Sequence, residues 1–295
     1  MQQHNQKKAY LYGLSAVLIW STVASAFKIA LGYMDPLQLL FYAVIFSTIS
    51  LFAILKIQNK TGQIKQMSKI ELLKCGLPGL LNPFLYYIIL FKAYDLLPAQ
   101  EAQPLNYTWA ITLSLLSIPL LGQKMTMREL LAILTSYLGV VVISTHGNLF
   151  DIKFSNGYGV FLALFSTIIW SLYWIMNTKS KFDPLIGLFL NFCFGLPLVT
   201  GAMLIFSGLP PFNIPAILSA AYVGFFEMGI TFALWLNALK FSEKASKVSN
   251  LIFLSPFLSL ILIHFILGEE ILPSTLVGLL FIVAGNVIQQ LGKKK

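Results

Sequence analysis

Charge is scarce in this chain. Asp, Glu, Lys and Arg together make up 11% of the 295 residues, whereas 57% are hydrophobic. A soluble domain of this size needs far more charge to cover its surface, so a water-soluble globular protein is excluded. Cysteine is nearly absent: Cys75 and Cys193 lie within or at the edge of apolar runs. That argues against a disulfide framework and gives no sign of redox chemistry. His4, His146 and His264 are far apart, and none has a Cys or carboxylate partner at metal-ligand spacing, so neither a metal nor another cofactor is expected. The apolar runs also lack paired catalytic carboxylates and any nucleophile motif, which speaks against an enzyme. They lack a charged ring or a Gly-rich carbonyl filter as well, which speaks against a channel. Acid is scarcer than base, giving a net charge of +9. In a soluble protein that would suggest nucleic acid. Here the lysines sit in loops and tails between apolar runs, and no nucleic-acid partner is expected.

What remains is a pattern of long uncharged runs, each near the roughly 20 residues that cross a bilayer as a helix. They cover residues 9–27, 36–55, 75–91, 102–123, 130–150, 154–178, 248–268 and 271–292. A further long run breaks at Ser207-Gly-Leu-Pro-Pro211 into helices over 184–206 and about 214–239. The expectation is an all-α integral membrane protein of ten transmembrane helices. The first run is followed by Lys28 and a Met-Asp-Pro turn, not by a small-residue cleavage site, so it reads as a retained helix. With the N-terminus inside, the inner segments collect Lys7, Lys8, Lys56, Lys60, Lys65, Lys69, Lys74, Lys124, Arg128, Lys179, Lys181, Lys240, Lys244, Lys247 and the terminal lysines. The outer loops hold Lys153 alone among bases. This bias predicts a multi-pass protein of a bacterial-type cytoplasmic (inner) membrane with both termini cytoplasmic.

The halves echo each other. Trp20-Ser21 followed by Asp35-Pro36 recurs as Trp170-Ser171 followed by Asp183-Pro184. Leu121-Gly122 with Gly139 recurs as Leu267-Gly268 with Gly285, while Gly79 and Ala93 match Gly224 and Ala238. The pattern divides the chain into repeats 1–148 and 149–295, each of five spans. An odd number of spans turns the second copy upside down, giving two inverted five-helix repeats. Such repeats hold their solute near the midplane and work by alternating access.

Inside the spans, Glu227 falls opposite Asn82 in the repeat alignment, near the middle of the third helix of each half. A mid-bilayer carboxylate is costly unless it faces water or a partner. Aromatic residues gather on the helices expected to line the cavity: Trp20 on helix 1, Tyr86 on helix 3, Tyr107 and Trp109 on helix 4, Trp170, Tyr173 and Trp174 on helix 6, and Trp235 on helix 8. With Asn82, Asn106, Glu227, Thr231 and Asn250 they form the candidate substrate-binding set, aromatic, polar and mostly uncharged. No Lys or Arg lies near the midplane, as phosphorylated solutes would require. Flat or amphipathic solutes with hydrogen-bonding groups fit better. Pro83, after Asn82, and Pro256 are expected to interrupt helices 3 and 9, freeing backbone carbonyls.

Asn237-Ala-Leu-Lys-Phe-Ser-Glu-Lys-Ala245, Leu254-Ser-Pro256, Leu267-Gly-Glu-Glu270 and Gly278 to Gly285 resemble the second half of EamA-type carriers of the drug/metabolite transporter superfamily. The resemblance covers essentially the whole chain and implies ten helices in two inverted repeats. Gly13-Leu-Ser-Ala16 with Trp20-Ser-Thr22, Asn106-Tyr-Thr-Trp109 with Thr112, and Gly122-Gln-Lys124 look like the aromatic amino-acid exporters, and Ile169-Trp-Ser-Leu-Tyr173 is similar to the start of their second half. The second half departs from that group, and Glu227 matches no exporter motif. The resemblance implies a secondary carrier that exports aromatic or other neutral hydrophobic amino acids. The alternative is a carrier of cationic drugs, polyamines or a nucleoside-like metabolite such as S-adenosylmethionine, with Glu227 as counter-ion or proton-coupling site. The expected partners are a small-molecule solute and the lipid bilayer, and the expected state is a monomer or weak homodimer.

Overall fold

The computed structural model describes residues 5–122, 126–148, 155–178, 180, 182–242, 248 and 250–292. Every regular element among them is helical. The ten main helices are α1 (Gln6–Leu31), α2 (Pro36–Ile57), α3 (Lys69–Leu96), α4 (Ala99–Leu121), α5 (Met127–Ser144), α6 (Gly157–Thr178), α7 (Pro184–Phe206), α8 (Ile214–Phe241), α9 (Ser255–Leu267) and α10 (Pro273–Gly292). Seven of them are long and apolar enough among the described residues to cross a membrane; α5, α9 and α10 carry shorter apolar stretches. Large apolar side chains such as Leu18, Phe206 and Phe265 stand exposed on the helices. Water would not tolerate so much apolar surface, but lipid does.

Local chemistry sets the helix ends. Asp35 and Asp183 each accept two backbone N–H bonds at a helix start, with Pro36 and Pro184 in the first turn. Gln38 completes a capping box at α2. At the other ends, Gly122 after α4 and Gly268 after α9 adopt left-handed φ of 68° and 69°, which a residue without Cβ reaches freely. α3 starts earlier than the apolar run suggests. A reciprocal cap between Ser68 and Glu71 nucleates a turn that the lysines around it do not disfavour.

Three helices are interrupted, and a fourth is entered through an irregular turn. α3 is π-helical over Leu80–Leu85, with Asn82 outside helical geometry (φ −140°, ψ 116°). α8 is π-helical over Val223–Glu227. α4 divides into Ala99–Asn106 and Trp109–Leu121, and α9 is preceded by a 3-10 segment, Asn250–Leu254. These are the third and fourth helices of each half. Pro83 lies within its break, as expected. Pro256 instead sits in the first turn of α9, where a missing N–H costs nothing, and the irregular turn precedes it.

The chain forms two compact units. Residues 1–84 and 181–262 make one, residues 85–180 and 263–295 the other, so each takes helices from both halves. In the first unit, α2 lies antiparallel to α7. Asp183 at the start of α7 pairs with Lys60 beyond the end of α2 at 2.6 Å. Asp35 at the start of α2 accepts from Ser207 at the end of α7. In the second unit, α5 lies antiparallel to α10. A Cβ on Gly278 would stand 2.6 Å from the Gly139 carbonyl oxygen, and one on Gly285 would stand 2.6 Å from that of Ala132. Close backbone approach of this kind is how small residues hold helices together without a hydrophobic driving force. α2 and α7 are equivalent in the two halves, and so are α5 and α10. Equivalent helices running in opposite directions are what inverted repeats require.

Candidate functional site

Each unit contains a tryptophan-centred cluster at an equivalent place. In the first, Trp20 of α1 meets Phe232 edge-on at 5.7 Å and Trp235 at 5.4 Å, both from α8. In the second, Trp170 of α6 stacks on Tyr86 of α3 at 4.6 Å and on Tyr173 at 5.5 Å, and meets Trp174 edge-on at 5.9 Å. Stacked and edge-on pairs at these separations add to plain burial. The serine after each tryptophan acts as an anchor. Ser21, which donates to the Val17 carbonyl at 2.7 Å, has its Oγ 3.4 Å from Ser255 Oγ of α9, and Ser171 donates to the Trp109 carbonyl of α4 at 3.2 Å. Ser255 begins α9 after its 3-10 segment, and Trp109 is the residue at which α4 resumes. The Trp-Ser pair thus ties the first helix of one half to the break in the fourth helix of the other. Sequence reading picked out the tryptophans but gave no role to the serines or to Phe232.

The polar groups differ between the clusters. In the second unit, Asn106 closes the first segment of α4. Its Oδ1 accepts from the Tyr86 hydroxyl at 3.4 Å, and its Nδ2 donates to Ser166 Oγ at 3.1 Å. Tyr107 follows in the break, its carbonyl accepting from Asn286 Nδ2 at 3.4 Å, and Trp109 is partly exposed. In the first unit, Glu227 ends the π-helical turn of α8 with a partly exposed side chain. The buried Thr231 returns a hydrogen bond to the Phe226 carbonyl, satisfying an acceptor next to the break. Asn82 is 1% exposed, and both of its amide atoms are buried without a partner. An unpaired buried amide costs about 1–3 kcal/mol, so this position calls for water or solute. The Asn250 side chain lies outside the described residues. The candidate set is therefore divided. Tyr86, Asn106, Tyr107, Trp109, Trp170, Tyr173 and Trp174 belong to the second unit; Trp20, Asn82, Glu227, Thr231 and Trp235 belong to the first.

A polar network at the start of α4 was not foreseen from the sequence. Glu101, 2% exposed, meets His146 Nε2 at 2.9 Å and accepts from Ser155. His146 therefore does have a carboxylate partner, 45 positions away, which no spacing rule would find. Among the described residues no group of three or more metal-ligating side chains gathers. The Glu269 carboxylate accepts from the Ala99 and Gln100 amides at 3.0 and 3.1 Å, capping α4 from the linker between α9 and α10. Pro98 supplies no side-chain cap of its own. Glu269→Ala is thus expected to lower stability by about 1–2 kcal/mol, the worth of a good N-cap, with Glu269→Gln retaining part of it. Thermal unfolding in detergent measures this, and an unchanged midpoint in Glu269→Ala would show the cap to be idle.

Comparison with known proteins agrees with this architecture. An uncharacterized transporter of Clostridium kluyveri is 28% identical over 98% of this chain and 95% of its own length. The uncharacterized transporter YvbV of Bacillus subtilis is 25% identical over 96% and 92%, and one from Archaeoglobus fulgidus is 24% identical over 92% and 95%. A crystal structure covering 97% of this chain and 98% of its own superposes with a TM-score of 0.66 at 21% identity, a likeness of fold alone. The model of the EamA-like transporter family matches twice, over residues 7–145 and 157–288. With ten helices, equivalent helices antiparallel and both halves matched, this chain is a membrane protein of the EamA-like transporter family, a transporter and not an enzyme.

Proposed function

We propose that this protein is a secondary carrier exporting aromatic or other neutral hydrophobic amino acids. The repeats 1–148 and 149–295 alternate access around a midplane cavity, in a cytoplasmic membrane with both termini inside. The observation that carries this reading is the set of interruptions in α3, α4 and α8 and the 3-10 turn before α9, next to which the tryptophan clusters and Asn106 lie. Discontinuous helices expose backbone dipoles that water or solute must satisfy, and transporters use such breaks to hold solute. Aromatic faces offer apolar area to a neutral side chain, and Asn106, beside the Trp170 cluster, offers hydrogen bonds to its polar end. Thermal stabilisation of the purified protein, followed by flux in proteoliposomes, tests the reading. Stabilisation by Phe, Tyr, Trp or large neutral amino acids supports it, because ligand bound to the folded state raises apparent stability. A wild type stabilised by polyamines or quaternary amines instead would replace it.

That second reading has its own observation: the Glu227 side chain is partly exposed at the break of α8. A carboxylate at such depth serves a cation or a proton. Glu227→Gln separates the uses. As a counter-ion, Glu227 would be needed for cationic solutes only. As a proton-coupling site, its loss is expected to stop pH-driven flux while exchange of labelled for unlabelled solute continues. Unchanged flux under both conditions would leave Glu227 a packing residue.

A further inference from the structure

The first turns of α3 are amphipathic, and their apolar side is turned outward. Ile70, Leu73 and Leu77 recur at i, i+3 and i+7 and so share one face. Ile70 is 67% exposed and Leu73 68%, with Leu77 exposed beside them. The opposite face is the packed one. Cys75 is buried there, and a Cβ on Gly79 would stand 2.6 Å from the Asn191 carbonyl oxygen of α7. Two exposed lysines border the outward stripe: Lys69 stands one turn before Leu73, and Lys74 one turn after Ile70. Lys65 precedes them at the end of the short turn Thr61–Lys65. From Lys56 to Lys74 the chain carries five lysines and one carboxylate, Glu71. That carboxylate is committed to the helix cap, accepting from the Ser68 amide and hydroxyl, both at 2.8 Å. Lys74 is near enough to Glu71 to feel its charge. Lys60 is balanced by Asp183, but Lys65, Lys69 and Lys74 form no salt bridge among the described residues.

An exposed apolar stripe with ammonium groups on both edges fits a partner with apolar depth and an anionic rim. We propose that the start of α3 docks on anionic phospholipid, with acyl chains against Ile70, Leu73 and Leu77 and headgroup phosphates at Lys69 and Lys74. Each lysine stem lies along the stripe while its ammonium, three donors and no acceptor, reaches the headgroups. Lysine clusters where a spanning helix meets the headgroups recruit anionic lipid in this way. The fold does not itself demand the lysines. α8 is the equivalent helix of the other half, and its first turns expose Ile214 and Leu218. No Lys or Arg occurs anywhere from 184 to 239. Entry of such a helix into lipid therefore needs apolar side chains alone. The lysine bias that orients a membrane protein is a matter of number, and it does not require lysines to flank one stripe.

The test measures thermal unfolding of the purified full-length protein in detergent at constant ionic strength. Phosphatidylglycerol, phosphatidylcholine with the same acyl chains, and glycerol 3-phosphate are titrated in turn. Wild type is expected to be stabilised saturably by phosphatidylglycerol and by neither of the others, since bound ligand raises apparent stability. Lys69→Gln combined with Lys74→Gln should raise the half-saturating concentration about 25-fold, at about fivefold for each lysine. Lys69→Gln alone should give the single step, which keeps the test decisive if the double variant fails to fold. Lys92→Gln is the control for lost charge, because Lys92 is already paired with Asp95, and it should bind as wild type does. Equal stabilisation by phosphatidylcholine would leave only ordinary lipid contact and overturn the proposal. Stabilisation by glycerol 3-phosphate would move the site to a soluble anion and overturn it too. So would an unchanged response in the Lys69 and Lys74 variants, or an equal shift in Lys92→Gln.

Discussion

Gly278→Val is expected to destabilise the protein by about 3 kcal/mol or more, toward the upper end of what overpacking costs. The cost begins at Cβ, which would stand 2.6 Å from the Gly139 carbonyl oxygen and overlap the Ile143 side chain. A side chain can turn away, but a carbonyl inside a helix cannot. The only relief is for α5 and α10 to part. A gap of about 1 Å already forfeits roughly half of the dispersion attraction along the seam. In lipid that attraction is a main term holding helices together. The geometry is also reciprocal, because Gly139 faces Gly278 and Gly285 faces Ala132 across one local two-fold. Gly201→Ala in α7 serves as the control, since a Cβ there meets nothing within 4 Å and helix propensity slightly favours the change. Thermal unfolding in detergent compares the two, and a wild-type midpoint for Gly278→Val would refute close approach of α5 and α10.

Asn106→Leu is expected to reduce transport by about 100-fold while the protein still folds. The substitution removes both groups that Asn106 offers, to Tyr86 and to Ser166. A buried polar group left without its partner costs about 1–3 kcal/mol, and two such losses at a solute site reach about 100-fold in rate or affinity. Trp109→Ala, where α4 resumes, is expected to act in the same direction, through lost aromatic surface. Ser166 Oγ retains its bond to the Ala163 carbonyl in either variant, so global stability should fall only modestly. Flux of labelled amino acid into proteoliposomes, read beside the unfolding midpoint, distinguishes lost function from lost fold. Wild-type flux in both folded variants would remove the α4 break from the transport site.

The ten spans, the duplication and the helix breaks at Asn82-Pro83 were legible in the sequence because each is written locally. A bilayer demands uncharged runs of set length, an Asp-Pro pair starts a helix, and a proline removes one backbone donor. The odd number of spans even dictated that equivalent helices run in opposite directions. Tertiary structure alone decided which segments share a compact unit, dividing the candidate residues between residues 1–84 with 181–262 and residues 85–180 with 263–295. It also decided that Ser21 and Ser171 anchor the start of α9 and of the second segment of α4, that His146 finds Glu101, and that Asn286 reaches the Tyr107 carbonyl. These pairings join residues 45 to 234 positions apart. Periodicity and composition record which side chains a helix buries, not which distant helix receives them. That choice follows from the close approach of small residues and from satisfying every polar group where there is no water to do so.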